Sequence, residues 1–228
     1  MSAYYFCRTV LKDARLAAVG VLVYMSNTYI LMLAGGGQVG LMMAYALVPL
    51  ALASFMRRNT ALFTAAMGFL LLFDLRFSYL TAGCLMAYII FVFPPKDWVQ
   101  FVKFSFIPFV VIIGLHSFWL VPFFFSRSAS LPAGYDNPGW LAYLSWAEFS
   151  KTLSLLQPNW PENIFGKTYF MQPQFLLLPI FAFGSLLSHE LRIVHKTQKK
   201  TMLFFAAIGL LGAFFAKGVN PPFGGLYA

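Results

Sequence analysis

The sequence predicts an all-α fold, a polytopic bundle of about seven transmembrane helices with one long outer loop that carries an interfacial helix. Three observations predict it: the composition, the length of the apolar runs, and the distribution of basic residues. Of 228 residues, 60% are hydrophobic and 10% charged, and the mean hydropathy is +0.74. Water is not the main solvent for such a chain. The 27 Phe and 11 Tyr suit wide lipid contact and anchoring at the headgroup level.

A window of about 20 apolar residues covers about 30 Å of hydrocarbon. It finds spans near 14–33, 38–56, 60–73, 77–93, 99–125, 173–189 and 201–216. The run 60–73 is short and calls for local thinning of the bilayer or support from neighbouring helices. All are too long and too continuously apolar for the alternating strands of a barrel, so helices must satisfy the backbone in lipid. The opening "MSAYYFCRTVL" reads as the last turns of a helix, since its charge follows the apolar run, the reverse of a signal peptide. The closing "AKGVNPPFGGLYA" reads as a loop cut off before its continuation, so the chain is expected to be one transmembrane domain, 1–228, within a longer protein.

Lys and Arg in the connections set the orientation, because their translocation is disfavoured. With a cytoplasmic N-terminus, Arg8, Lys12, Arg15, Arg57, Arg58, Lys96, Lys103, Arg192, Lys196, Lys199 and Lys200 lie inside. Arg76, Arg127, Lys151, Lys167 and Lys217 lie outside, 5 of the 16 basic residues. The stretch "LRIVHKTQKK" (191–200) is the strongest anchor, and the net charge of +9 reflects this asymmetry more than any affinity for nucleic acid. The segment 126–172 is then an extracytoplasmic loop, too aromatic for disorder. Within it, Asn137 as N-cap and Pro138 at the first helical position predict a helix to about Leu156 lying along the outer leaflet. Cys7 and Cys84 read as small buried hydrophobes with no disulfide or metal role.

Several motifs fail on context. "GGGQVG" (35–40) fits a dinucleotide fingerprint only formally; without a preceding strand it is a tight turn that needs positive φ. "HELRIVH" (189–195) has the wrong spacing for a zinc helix. His116, inside an apolar span, reads as a helix-packing residue or as a functional one.

Polar chemistry gathers instead at the outer face. "FDLRFSYL" (73–80) puts Asp74 and Arg76 at the membrane boundary, where an acid costs desolvation free energy unless it is paired. Asp74 is either a helix cap with an ion pair, or a candidate catalytic group facing the polar head of a lipid-borne substrate. Asp136, Glu148 and Glu162 are the other outer acids. Glu162 lies among Asn159, Trp160, Asn163 and Lys167, a set able to hydrogen-bond and stack on a sugar or to hold a phosphate, or else to stitch the loop to the bundle. Glu162 is thus a second catalytic candidate, and Arg76, Asn159, Trp160, Asn163, Lys167 and Lys217 are candidate substrate-binding residues. No metal-binding motif is present.

Taken together, "GGGQVGLMMAYALVPLAL", "FDLRFSYLT", "QPNWPENIFGKTYFMQPQFLLLPI" and "AKGVNPPFGGLYA" resemble the membrane cores of bacterial and archaeal GT-C-type glycosyltransferases, in particular YfhO-like and arabinofuranosyltransferase-like membrane proteins. The resemblance implies transfer of a sugar from a polyprenyl-phosphate donor on the outer face, with location in a prokaryotic plasma membrane, and it leaves a divalent cation open as cofactor. It implies that Asp74 is the second acid of such enzymes, in a short outer turn. The family's principal acid lies in a large first outer loop, whereas the first outer turn here is only "AGGGQ". That carboxylate therefore lies upstream, or this chain is not catalytic alone. The rival classes are a transporter or flippase of lipid-linked material, and a non-catalytic membrane protein.

Overall fold

The computed structural model describes residues 1–92, 98–125, 139, 142, 145, 149–153, 177–184, 186 and 195–227. Ten α-helices are described: α1 Ser2–Leu11, α2 Ala14–Met25, α3 Thr28–Gly35, α4 Val39–Met56, α5 Thr60–Phe73, α6 Leu75–Phe91, α7 Trp98–Phe125, α8 Phe149–Thr152, α9 Leu177–Gly184 and α10 Lys196–Ala216. A 3₁₀ turn, Gly224–Tyr227, follows. Among the described residues there is no strand. Contacts group the chain into two units, Met1–Met25 with Leu33–Ala129, and Ser26–Met32 with Ser130–Ala228.

Helix boundaries follow from short polar side chains set between apolar runs. Asp13 Oδ1 accepts from the backbone N–H of Arg15 and Leu16 (2.8 and 2.9 Å) and starts α2. Asn27 Oδ1 accepts from Ile30 N (3.1 Å) and starts α3, while Asn59 does the same for Leu62 N (3.1 Å) at α5. Each side chain satisfies one or two of the N–H groups that a helix leaves unpaired at its N-terminus. At the other end of α1, Lys12 takes the left-handed conformation (φ 61) and Arg8 donates to its carbonyl (2.7 Å). The turn between α3 and α4 puts Gly37 at φ +66, as the GGGQ stretch requires.

The apolar run 14–33 is not one helix. It breaks at Ser26–Asn27, because the Asn27 side chain caps α3 from inside the run and is buried there. The stretch expected as a span near 14–33 therefore holds two short helices, α2 and α3.

Among the described residues, three helices are long and apolar enough to cross a membrane: Val39–Met56, the stretch Phe101–Phe125 of α7, and Lys196–Ala216. Shorter apolar helices are Ala14–Met25, Thr60–Phe73 and Leu75–Phe91. Large apolar side chains such as Phe63, Leu70, Leu85 and Phe204 are buried, and the rest of the burial pattern is consistent with helices packed in lipid. Ala3, Ala17, Ala44, Ala51, Ala53, Ala66 and Ser54 are buried, while Phe106, Phe109, Phe118, Phe123 and Phe124 of α7 face outward. Small residues let backbones approach closely where lipid removes any hydrophobic drive between helices, and the outward-facing large apolar side chains are left for the tails.

In the first unit α1, α5 and α6 pack on α4, and α7 packs on α5. Aromatic contacts align α5 with α7: Phe63 stacks on Phe104 (6.1 Å), and both meet Phe55 of α4 edge-on. Further along, His116 Nε2 lies 2.9 Å from the Gly68 carbonyl, and the Trp119 indole donates to His116 Nδ1 (2.9 Å). Indole N–H only donates and a carbonyl only accepts, so this His is the neutral Nε2–H tautomer, which donates to Gly68. Both ring nitrogens are thereby used in joining α7 to α5.

In the second unit α8 packs on α10. Lys196, Lys199 and Lys200 lie in the first turns of α10, the end where the helix dipole disfavours cations. The sixth span, 173–189, is described over α9 and at position 186, and the predicted interfacial helix from Asn137 to Leu156 only at isolated positions and over α8.

Candidate functional site

Asp74 is the whole connection between α5 and α6. Its backbone N–H bonds to the Leu70 carbonyl and so closes α5. Its extended conformation (φ −157, ψ 119) then turns the side chain back over the start of α6, where Oδ1 accepts from Phe77 N (3.1 Å). Arg76, two residues on, donates to both carboxylate oxygens, the shortest contact being Nη2 to Oδ2 at 2.8 Å. The Asp74 side chain is 9% exposed and that of Arg76 62%. The Arg76 guanidinium holds the Asp74 carboxyl below the usual carboxylate range, with the Phe77 N–H adding to this and partial burial opposing it. Asp74 is an anion at neutral pH, presented at the end of two apolar helices with an exposed guanidinium beside it.

Asp13, Asn27 and Asn59 also cap helices, so capping alone gives Asp74 no special role. The charge-assisted pair with Arg76 distinguishes it. Because the Asp74 pKa is depressed on folding, the ionised side chain stabilises the fold at neutral pH, and this is lost as pH falls below about 4. The exposed partner keeps the pair below about 1 kcal/mol. Asp74→Asn retains a good cap and removes the charge. Its thermal stability in detergent is therefore expected to depend less on pH between about 5 and 3 than that of wild type. Parallel curves for the two proteins would show that the pair contributes nothing.

Lys217, at the end of α10, is fully buried. Its ammonium donates to the carbonyls of Gly218 (3.1 Å) and Asn220 (2.7 Å) and stands over the Phe214 ring at 4.6 Å. The loop is fastened further by Ser145, whose hydroxyl accepts from Val219 N (2.9 Å) and whose carbonyl accepts from Asn220 Nδ2 (2.8 Å). Lys217 thus organises the turn that the sequence marks as KGVNPP, and Ser145 is a structural partner that the sequence reading did not single out.

Of the candidate residues, the structure brings together Asp74 and Arg76, and it places Lys217 within its own loop. Glu162, Asn159, Trp160, Asn163 and Lys167 lie outside the described residues, as do Asp136 and Glu148. Among the described residues no group of three or more His, Cys, Asp or Glu could hold a metal ion.

Over the described residues, fold and site define an all-α protein with three helices long and apolar enough to cross a membrane and an ion-paired turn between two shorter apolar helices. No protein-family model matches the chain, and no curated protein or solved structure matches it either.

Proposed function

We propose that the chain is the membrane-embedded core of a GT-C-type glycosyltransferase that uses a polyprenyl-phosphate-linked sugar on the extracytoplasmic face. The observation that carries this reading is the Asp74–Arg76 pair, an ionised carboxylate and an exposed guanidinium in a one-residue turn between apolar helices. The resemblance of the four sequence segments to such enzymes supports it. In the proposed topology α2 and α3 together form the first span. α4, α5, α6 and α7 form the next four, and the apolar runs containing α9 and α10 form the last two. The N-terminus is cytoplasmic, the membrane is the plasma membrane of a prokaryote, and the loop 126–172 lies outside with Asp74.

The chemistry follows from the groups available. The Asp74 carboxylate accepts the proton of an acceptor hydroxyl as its oxygen bonds to the anomeric carbon. The bond from that carbon to the phosphate oxygen breaks, and polyprenyl phosphate leaves with the electron pair. Arg76 stabilises the departing phosphate, with Lys167 and Lys217 as further candidate cations and Glu162, Asn159, Trp160 and Asn163 as candidate sugar contacts. Membranes containing the full chain are to be incubated with labelled polyprenyl-phosphate sugars. Asp74→Asn is expected to lower transfer by at least about a hundredfold, the lower range for general-base loss. Unchanged transfer in this variant would remove Asp74 from the mechanism.

A transporter or flippase of lipid-linked material is the second reading, favoured by the α2–α3 break with its buried Asn27, since discontinuous helices often line transport sites. Movement of a labelled lipid across vesicles without chemical change would select it.

A further inference from the structure

Where α1 packs on α4 there is an open cavity of about 570 Å³, lined by Tyr4, Tyr5 and Arg8 of α1, Leu50 of α4 with its C-cap Arg57, and Leu62 of α5. Its two cations are held in different ways. Arg57 Nε donates to the Thr9 hydroxyl (2.8 Å), which itself donates to the Tyr5 carbonyl (2.7 Å), and the guanidinium lies over the Tyr5 ring at 4.1 Å. Arg8 Nη1 donates to the Lys12 carbonyl at 2.7 Å. A guanidinium carries five N–H donors. Among the described residues neither arginine side chain makes a further hydrogen bond, so most of these donors remain for a ligand.

No acid offsets these cations. Helices α1, α2, α4 and α5 carry no Asp or Glu, and among the described residues no carboxylate lies within ion-pair distance of Arg8 or Arg57. Asp13, the acid nearest to Arg8 in sequence, uses Oδ1 on the N-terminus of α2. Two like charges lining one cavity repel, and an anion between them removes that cost. A guanidinium held by a ring and a hydroxyl is also set for two-pronged contact with a phosphate. Topology asks only for positive charge at this end of the helices; it does not ask for an arginine fixed in this way.

Away from the arginines the cavity becomes apolar. Leu50 lies seven residues before Arg57, about 10 Å at 1.5 Å per residue, inside a helix long and apolar enough to cross a membrane. A ligand that fills the cavity meets cations at one end and an apolar wall at the other, whereas a free anion leaves the wall unused. We infer that this cavity is a binding site for the phosphate of an anionic glycerophospholipid, with Arg8 and Arg57 on the phosphate and the first part of an acyl chain along Leu50 and Leu62. The site is separate from Asp74, which closes the other end of α5 from Leu62. The inference rests on the membrane-embedded reading and is independent of sugar transfer. In the proposed orientation the cavity faces the cytoplasmic leaflet, where anionic lipids attract basic residues.

Native mass spectrometry of the full chain in mild detergent, with phosphatidylglycerol or phosphatidylcholine of identical chains added, tests it. Wild type is expected to retain one phosphatidylglycerol, preferred about fivefold for each of the two arginines. Arg8→Gln leaves the Arg57 contacts with Thr9 and Tyr5 in place and is expected to lower the preference about fivefold. Arg8→Gln with Arg57→Gln is expected to abolish it. Arg15→Gln removes an exposed cation that does not line the cavity and is expected to leave the preference unchanged. Equal retention of the two lipids by wild type overturns the proposal. An equal fall in preference for Arg15→Gln and Arg8→Gln would assign the effect to diffuse surface charge and overturn it too. Displacement of phosphatidylglycerol by millimolar inorganic phosphate would show that a free anion suffices, and would overturn the lipid assignment. Sugar transfer is read separately, so loss of that activity reading leaves these outcomes unaffected.

Discussion

Replacing Gly218 by alanine is expected to open the turn after α10 and to raise tryptic cleavage after Lys217 about a hundredfold, from a local loss of about 3 kcal/mol. Gly218 sits at φ +58, where a Cβ costs about 1–2 kcal/mol. A Cβ built there would also collide with the Ser145 hydroxyl. Ser145 cannot retreat without loosening its bonds to Val219 N and Asn220 Nδ2, each contributing about 1 kcal/mol. Trypsin reads this directly, because it must reach a lysine whose side chain is fully buried in the intact turn. Gly225→Ala provides the control, since nothing lies within 4 Å of the added methyl group. Similar cleavage rates for Gly218→Ala and wild type would show that the turn is not held as described.

The second large effect is expected at a pair of tyrosines. Pro49 lies inside α4 and has no N–H to offer the carbonyl of Tyr45 four residues earlier. The Tyr24 hydroxyl of α2 donates to that carbonyl at 2.6 Å. In return, the Tyr45 hydroxyl donates to the Tyr24 carbonyl (3.0 Å), one residue from the end of α2, and the two rings stack at 4.3 Å. Each phenol thus repairs a backbone defect on the other helix, in surroundings where water is not at hand to do so. Tyr24→Phe keeps the stacking and removes one donor. It is expected to destabilise the protein in bilayers or detergent by about 1.5 kcal/mol. Pro49→Ala restores an N–H at the position the Tyr45 carbonyl needs, so Tyr24→Phe should cost clearly less in that background. Equal costs in both backgrounds would show that the hydroxyl is not compensating for the proline.

Features that depend on neighbouring residues were legible in the sequence. The GGGQ turn, the short helix 60–73 and the cap at Asp74 each follow from a few adjacent side chains, and all three occur. The helix break at Ser26–Asn27 was hidden by the apolar residues on both sides. Its signal was the Ser-Asn-Thr triplet, an N-cap sequence outweighed by the mean hydropathy of the window. For Asp74, sequence alone left capping and substrate contact open; the Arg76 and Phe77 contacts establish the first and leave the carboxylate ionised. His116 and Lys217 were visible as polar residues in or beside apolar runs, but their partners were not. Gly68 is 48 residues from His116, and Ser145 is 74 from Val219, so only the folded chain brings them together.

The account turns on whether α5, with only 14 residues, carries the chain across the bilayer and so separates Arg58 from Asp74 and Arg76. Single cysteines at Gln38, Arg58 and Arg76, in a protein with Cys7 and Cys84 replaced by alanine, can be probed in intact cells with a membrane-impermeant maleimide. The positions at Gln38 and Arg76 are expected to label at once, and the position at Arg58 only after the membrane is permeabilised. Labelling of Arg58 and Arg76 from the same side would contradict the topology and remove Asp74 from the face where a lipid-linked donor is proposed to bind.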